Sequence, residues 1–194
     1  MKIIILNRRL ISYVSIILGV ILIILSAQLT FNSKLKSTAF MQNGISQLTE
    51  YYTVGKKYQY KLPNNWNTNE ESFDSSEIVY HNNFVSDDLK LHGFAEVWKL
   101  KTPLKKFLEN SKSSSYKPGS VLNYKIKKTK IKNFETYLVT YNMKNQSGEI
   151  YKAWEYYIEE NNEFFRICFF VPQEEYKANL PVVFESITNT FNKV

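Results

Sequence analysis

Hydrophobic and polar positions divide the chain into three stretches. Residues 10–29 read LISYVSIILGVILIILSAQL, apolar on every helical face and without charge. A helix rises about 1.5 Å per residue, so twenty such residues cross the roughly 30 Å hydrocarbon core of a bilayer. The pattern predicts one transmembrane helix. Residues 30–56 are polar with a sparse apolar stripe, Met41, Ile45, Leu48 and Tyr52, whose spacing predicts a short juxtamembrane helix interrupted by Gly44. From residue 57 the period changes to two. Tyr58, Tyr60 and Leu62 alternate with Gln59 and Lys61 and stop at Pro63-Asn64-Asn65-Trp66, a strand closed by a turn.

Residues 77–81 predict a second strand and 91–100 a third. Thr102-Pro103 then opens a helix with Leu104, Phe107 and Leu108 on one face, and SKSSSYKPGS at 111–120 reads as a loop. Four strands are predicted at 121–131, 135–143, 150–160 and 163–171, joined at Lys132-Asn133, 144–148 and Asn161-Asn162. Asparagine tolerates positive φ, which suits hairpins, so the arrangement is an antiparallel meander. Beyond Pro172, the stripe Leu180, Val183, Phe184, Ile187 and Phe191 predicts a helix whose apolar face packs on the sheet.

The flanks of the apolar run add topology. Lys2, Arg8 and Arg9 precede it with no acidic residue, and positive flanks stay in the cytoplasm. The expectation is a cytoplasmic N-terminus at 1–9, a transmembrane helix at 10–29, a stalk at 30–56 and an extracytoplasmic domain at 57–194. A cleaved signal peptide is the competing reading. Against it, the run exceeds a typical signal h-region of roughly 7–15 residues, and a cut after Ala27 would put Leu25 where a small residue is needed. A lipid-modified N-terminus is excluded, because the single cysteine of the 194 residues, Cys168, lies far downstream.

Composition narrows the chemistry. The chain carries 25 Lys+Arg and 18 Asp+Glu, and setting aside the three basic residues before the membrane leaves 22 against 18. So mild an excess is no nucleic-acid footprint. Lys125, Lys127, Lys128, Lys130 and Lys132 divide between the two faces of a strand and read first as edge protection, with attraction to anionic lipid or wall polymers as the other reading. One cysteine rules out a disulfide framework and any cysteine-based zinc site. Richness in Lys, Asn and Ile suggests an AT-rich bacterial genome.

Order and pattern together resemble a known family. A strand closing on Lys61-Leu62-Pro63 with Trp66 after it, Ile78-Val79-Tyr80-His81, a strand from Gly93 to Trp98, a Pro-initiated helix, and Phe169-Phe170-Val171-Pro172 before a final amphipathic helix are similar to the PsbP-like family over most of 57–194. The resemblance implies an α+β fold, an α/β/α sandwich around an antiparallel sheet, here preceded by one transmembrane helix. That family is named for the extrinsic subunit of the photosynthetic water-oxidising complex and includes bacterial membrane-anchored members of unknown role. What it implies for this chain is a non-enzymatic binding or scaffolding domain at the cell envelope, with no cofactor of its own. Photosynthesis does not follow, because fold does not carry function.

Residues with chemical potential are few. His81, Asp87, Asp88 and His92, with Glu96 nearby, form a conceivable mixed nitrogen and oxygen metal site of no recognised spacing, for which solvated turn residues are the competing reading. Ser86 and Asp87 with His81 or His92 are the local trio a hydrolase would need, and no Gly-x-Ser-x-Gly elbow accompanies them. Cys168, among FFRICFFVP, reads as a buried inert thiol that shares a face with Arg166. Trp66, Trp98, Trp154 and Tyr156, with Tyr157, are the aromatics from which a binding surface would be built, and core packing is their alternative use. Such a surface is expected beside residues 82–89. Asn145-Gln146-Ser147 matches a glycosylation acceptor in form. The expected partners are the membrane and a protein of the envelope. A structural role, self-association through the stalk stripe and the membrane helix, is a further possibility.

Overall fold

The computed structural model describes residues 8–74, 76–88, 90–114 and 120–194. Most of the expected cytoplasmic stretch, Leu89 and the centre of the 111–120 loop lie outside the described residues. Helix α1 (Arg8–Gln42) runs without a break from the apolar stretch into the stalk. Among the described residues it is the one helix long and apolar enough to cross a membrane. Its large apolar side chains from Tyr13 to Leu29 are exposed, with no protein packed on them. So large an exposed apolar surface marks an interaction site, and its length and composition make the helix a candidate membrane span.

The stalk departs from its expected helix. Helix α1 ends where the Asn43 and Ile45 amides both donate to the Phe40 carbonyl and Gly44 takes φ +67°. A left-handed glycine just past the last turn is the ordinary way to stop a helix. Leu48 and Tyr52 continue no stripe. They belong to strand β1 (Leu48–Tyr52), which runs antiparallel to β2 (Tyr58–Pro63) with Leu48 opposite Pro63. Spacings of three and four fit a helix, but the Thr and Tyr residues between them favour a strand, and β2 supplies the partner. The folded domain therefore begins ahead of Lys57.

The remaining elements are β3 (Asn67–Glu70), β4 (Ile78–Val85), β5 (His92–Lys99), α2 (Leu104–Ser114), β6 (Val121–Ile131), β7 (Phe134–Lys144), β8 (Ile150–Glu160), β9 (Glu163–Pro172), α3 (Leu180–Thr188) and β10 (Asn192–Lys193). Strands β1, β2 and β10 make a small sheet, and the other seven make a second sheet ordered β3-β4-β5-β9-β8-β7-β6, antiparallel throughout. Alternation along β9 shows how the layers form. Phe165, Ile167, Phe169 and Val171 enter a core shared with α3 and the small sheet, while Phe164, Cys168 and Phe170 enter a second core with Leu104 and Leu108 of α2. This is the α/β/α arrangement. Phe191, one turn beyond α3, is fully buried against Phe165 and Phe134 and completes the helical stripe after the helix has ended.

Three local features differ from the pattern-based reading. Strand β4 runs on to Val85 through Asn82-Asn83, and β3 forms from NTNE, a sequence with little intrinsic strand preference that owes its conformation to pairing with β4. Residues 111–114, expected as loop, extend α2. At two hairpins Lys132 and Asn161 hold the left-handed φ, so in the first of them a lysine takes the place expected of Asn133. Gly93 is a close-approach residue, because a Cβ there would overlap the Cys168 carbonyl and stand 2.7 Å from the Phe84 ring.

Candidate functional site

The α2 side of the large sheet carries an ion network at its centre. Register puts Glu96 of β5 opposite Arg166 of β9, and Arg166 opposite Tyr157 of β8. Arg166 Nη1 donates to Glu96 Oε2 at 3.3 Å and Nη2 donates to Glu155 Oε1 at 3.0 Å. Glu96 also accepts from His81 Nδ1 at 2.7 Å and from Trp98 Nε1 at 2.8 Å. Glu155 accepts from Tyr141 at 2.6 Å and from the Tyr157 hydroxyl. The guanidinium lies over the Phe94 and Tyr157 rings at 4.8 and 5.2 Å. Burial is deep, with Glu96 5% and Glu155 1% exposed. Carboxylates can be held there because each gains a shared cation and neutral donors. All four carboxylate oxygens are engaged, which makes the network a fixed electrostatic centre that ties β4, β5, β7, β8 and β9 into one register. Arg166 Nε is buried with no partner.

Sequence reasoning noted Glu96 and Arg166 separately and missed Glu155. The signal was present: each is a charge flanked by apolar residues inside a strand, FAEVW, AWEYY and FFRICFF. Cys168 is wholly buried in the same layer, where burial raises its thiol pKa well above the ordinary value and keeps it protonated.

The metal and hydrolase candidates do not meet. His81 is buried, engaged with Glu96, and has Nε2 2.9 Å from Asn83 Oδ1. His92 pairs with Val85, four positions along β4 from His81, and its ring stacks on Phe170 and meets Tyr151 edge-on. Desolvation lowers its pKa. Ser86 donates to Asp88 at 2.6 Å and accepts from the Leu91 amide at 3.0 Å, which closes the β4–β5 turn. Burial opposes the charge on Asp88, yet the Ser86 hydroxyl and the Lys90 amide hold its pKa below the usual carboxylate value. Asp87 is exposed in that turn. Among the described residues, no three His, Cys, Asp or Glu side chains converge in a geometry that could hold a metal ion.

The aromatic candidates are anchors. Trp66 is 7% exposed and stacked on Phe84, and Tyr156 is buried against Phe169. Trp98 stacks on Phe164. Trp154 lies between Tyr176, parallel at 5.3 Å, and Phe184. Each of these rings is packed on an aromatic neighbour of the core. The open surface lies elsewhere on the α2 side, at the corner that α2 leaves uncovered. There Asn67, Asn69 and Asn83 face His92, Phe94 and Phe170 across a groove of about 510 Å³. Its place beside the β4–β5 hairpin is near the expected one, but its aromatics are phenylalanines and a histidine.

No family model matches the chain, and no curated protein matches it by sequence. Its fold does match solved structures. The solution structure of cyanobacterial PsbP from Synechocystis superposes with a TM-score of 0.53 at 11% identity, covering 77% of this chain and 94% of that one. A crystal structure from Bacteroides thetaiotaomicron superposes with a TM-score of 0.52 at 16% identity, covering 77% of this chain and 49% of that one, so the chain spans about half the length of that protein. The fold is PsbP-like. At these identities the likeness concerns the backbone arrangement and no activity.

Proposed function

We propose that the chain is a membrane-anchored extracytoplasmic domain that acts at the cell envelope by binding, without chemistry of its own. One observation carries the reading. A single helix is exposed and apolar over its first part and, without an intervening loop, is packed into the domain at its end, where Ala39 is 2% exposed and Gln42 accepts from Asn179 at 2.7 Å. The flank of Arg8 and Arg9 supports the outward orientation of the domain. That Ser86 bonds Asp88 while His81 bonds Glu96, so that no serine–histidine pair forms between them, supports binding over catalysis. The groove beside His92 and Phe94 is the natural seat for a ligand.

Membrane fractionation combined with cysteine labelling tests it. The native Cys168 is buried, so a cysteine introduced by Lys34→Cys reports alone to a membrane-impermeant maleimide. Labelling in intact cells, with the protein retained in alkali-washed membranes, is the expected result. Labelling only after lysis would overturn the orientation, and release by alkali would overturn the anchor. A photo-crosslinking residue in place of Asn69, but not of Lys128, should capture a partner if the groove is the binding surface.

A further inference from the structure

We propose that the β6–β8 edge of the large sheet, on its α3 side, binds a linear polymer carrying phosphate charges, with Lys125 and Lys152 as the residues that take the phosphate. The proposal goes beyond the function above, since it holds whichever side of the membrane the domain occupies. The five lysines at 125–132 do not behave alike. Lys128 and Lys130, on the α2 side, both reach Glu135, at 2.5 and 3.6 Å. Lys132 caps the Phe191 carbonyl and Asn192. Lys125, Lys127 and Lys152 have no acidic partner among the described residues. Edge protection alone would be served equally by neutralised lysines. Here a carboxylate offsets the positive charge on one face, and on the other the lysines have none.

The open face is also shaped. Asn123, Lys125, Thr140, Asn142, Lys152 and Tyr176 line a recess of about 450 Å³. Lys125 pairs with Thr140, which pairs with Trp154, and Asn142 pairs with Lys152, so the two lysines stand two strands apart on one face with Thr140 and Asn142 on the strand between them. A register shift between Leu122 and Lys125, with Asn123 in the left-handed region at φ 58°, bends β6 at the rim. Lys152 is held in place, its Nζ 3.8 Å from the centre of the Tyr176 ring, and Tyr176 is itself fixed by Trp154. Lys127 extends the positive row one position along the same face, opposite Leu138. An ammonium holds phosphate as a point charge and needs no planar fork to do so. Two lysines at a shallow recess with a third beyond it along the strand make a row, and a row suits a chain.

Titration of the full-length protein, in micelles of uncharged detergent, with long-chain inorganic polyphosphate tests the proposal. Binding at low salt is expected. The double variant Lys125→Gln, Lys152→Gln should weaken it about tenfold and flatten the plot of log affinity against log salt by about two. Lys128→Gln with Lys130→Gln should leave both within about twofold. Because Lys152 also braces Tyr176, Lys125→Glu alone, at an exposed position, must show the same direction of loss with unchanged thermal unfolding. No binding at low salt, or equal losses in the two double variants, would overturn the site. Preference for phosphatidylglycerol vesicles over the polymer, lost in the same double variant, would replace the polymer by a lipid surface.

Discussion

Arg166 is the one cation that two buried carboxylates share, so its replacement shows what the network contributes. Arg166→Met would leave Glu96 and Glu155 in a low-dielectric layer without the cation they share. Removing one partner of a buried ion pair costs about 3–5 kcal/mol, far more than the net value of the pair. Arg166→Lys keeps the charge and loses the fork, so its loss should be smaller. Denaturant midpoints of the full-length protein in detergent check the ranking Arg, Lys, Met. His92 gives a second residue-scale test. Its lowered pKa means that the folded state binds fewer protons than the unfolded state below the ordinary histidine value of about 6.5. Its contribution is therefore complete above that pH and is lost as pH falls through the lowered pKa. Unfolding midpoints should drop on acidification, and His92→Phe, which keeps a ring on Phe170, should flatten part of that drop.

At the scale of elements, Phe191 fastens the chain's last turn. It lies 4.8 Å from Phe165 and 5.5 Å from Tyr58 between ring centres and is wholly buried. Phe191→Ala should cost about 3–5 kcal/mol, the range for emptying a phenylalanine site in a packed core, and should detach β10 from β2. Exchange of the Lys193 and Val194 amides would then quicken more than that of β9. That residue also shows what the sequence made legible. A stripe at 180, 183, 184, 187 and 191 states that five side chains share a face, and they do, although the helix stops at Thr188. The four strands of 121–172 were readable because alternation and asparagine or glycine turns agreed. Strand β1 was not, since Met41, Ile45, Leu48 and Tyr52 fit a helical period and only β2, in space, decides otherwise. The network was half legible: inward charges in apolar strands announce a buried partner, but which charges meet is set by register between strands far apart in sequence. His81 and His92 looked adjacent for the opposite reason, since closeness along a hairpin hides a four-residue offset across it.

At the scale of the whole molecule, the join between helix and domain decides how the domain is held. Residues 30–42 extend α1 by roughly 20 Å beyond the apolar stretch, and the domain grips only the end of that extension. The grip consists of Ala39 and Phe40 against the α3 layer, Ile45 at 4% exposure, and the Asn179–Gln42 hydrogen bond. No loop intervenes between the apolar stretch and the residues the domain grips, so the direction of the helix fixes how the apolar stretch leaves the domain. Ala39 sits in the core beneath α3, and Ala39→Arg inserts a long charged side chain where that contact leaves no room, while the strand pairing of the two sheets does not involve it. The expected outcome is a domain that stays folded but is released from its strut. Limited proteolysis of the membrane-embedded protein should then cleave at residues 43–47 several-fold faster, leaving an intact fragment that begins near β1. Unchanged cleavage would mean that Phe40 and Ile45 hold the join without Ala39. Loss of the fragment altogether would mean that the strut is part of the domain's own core.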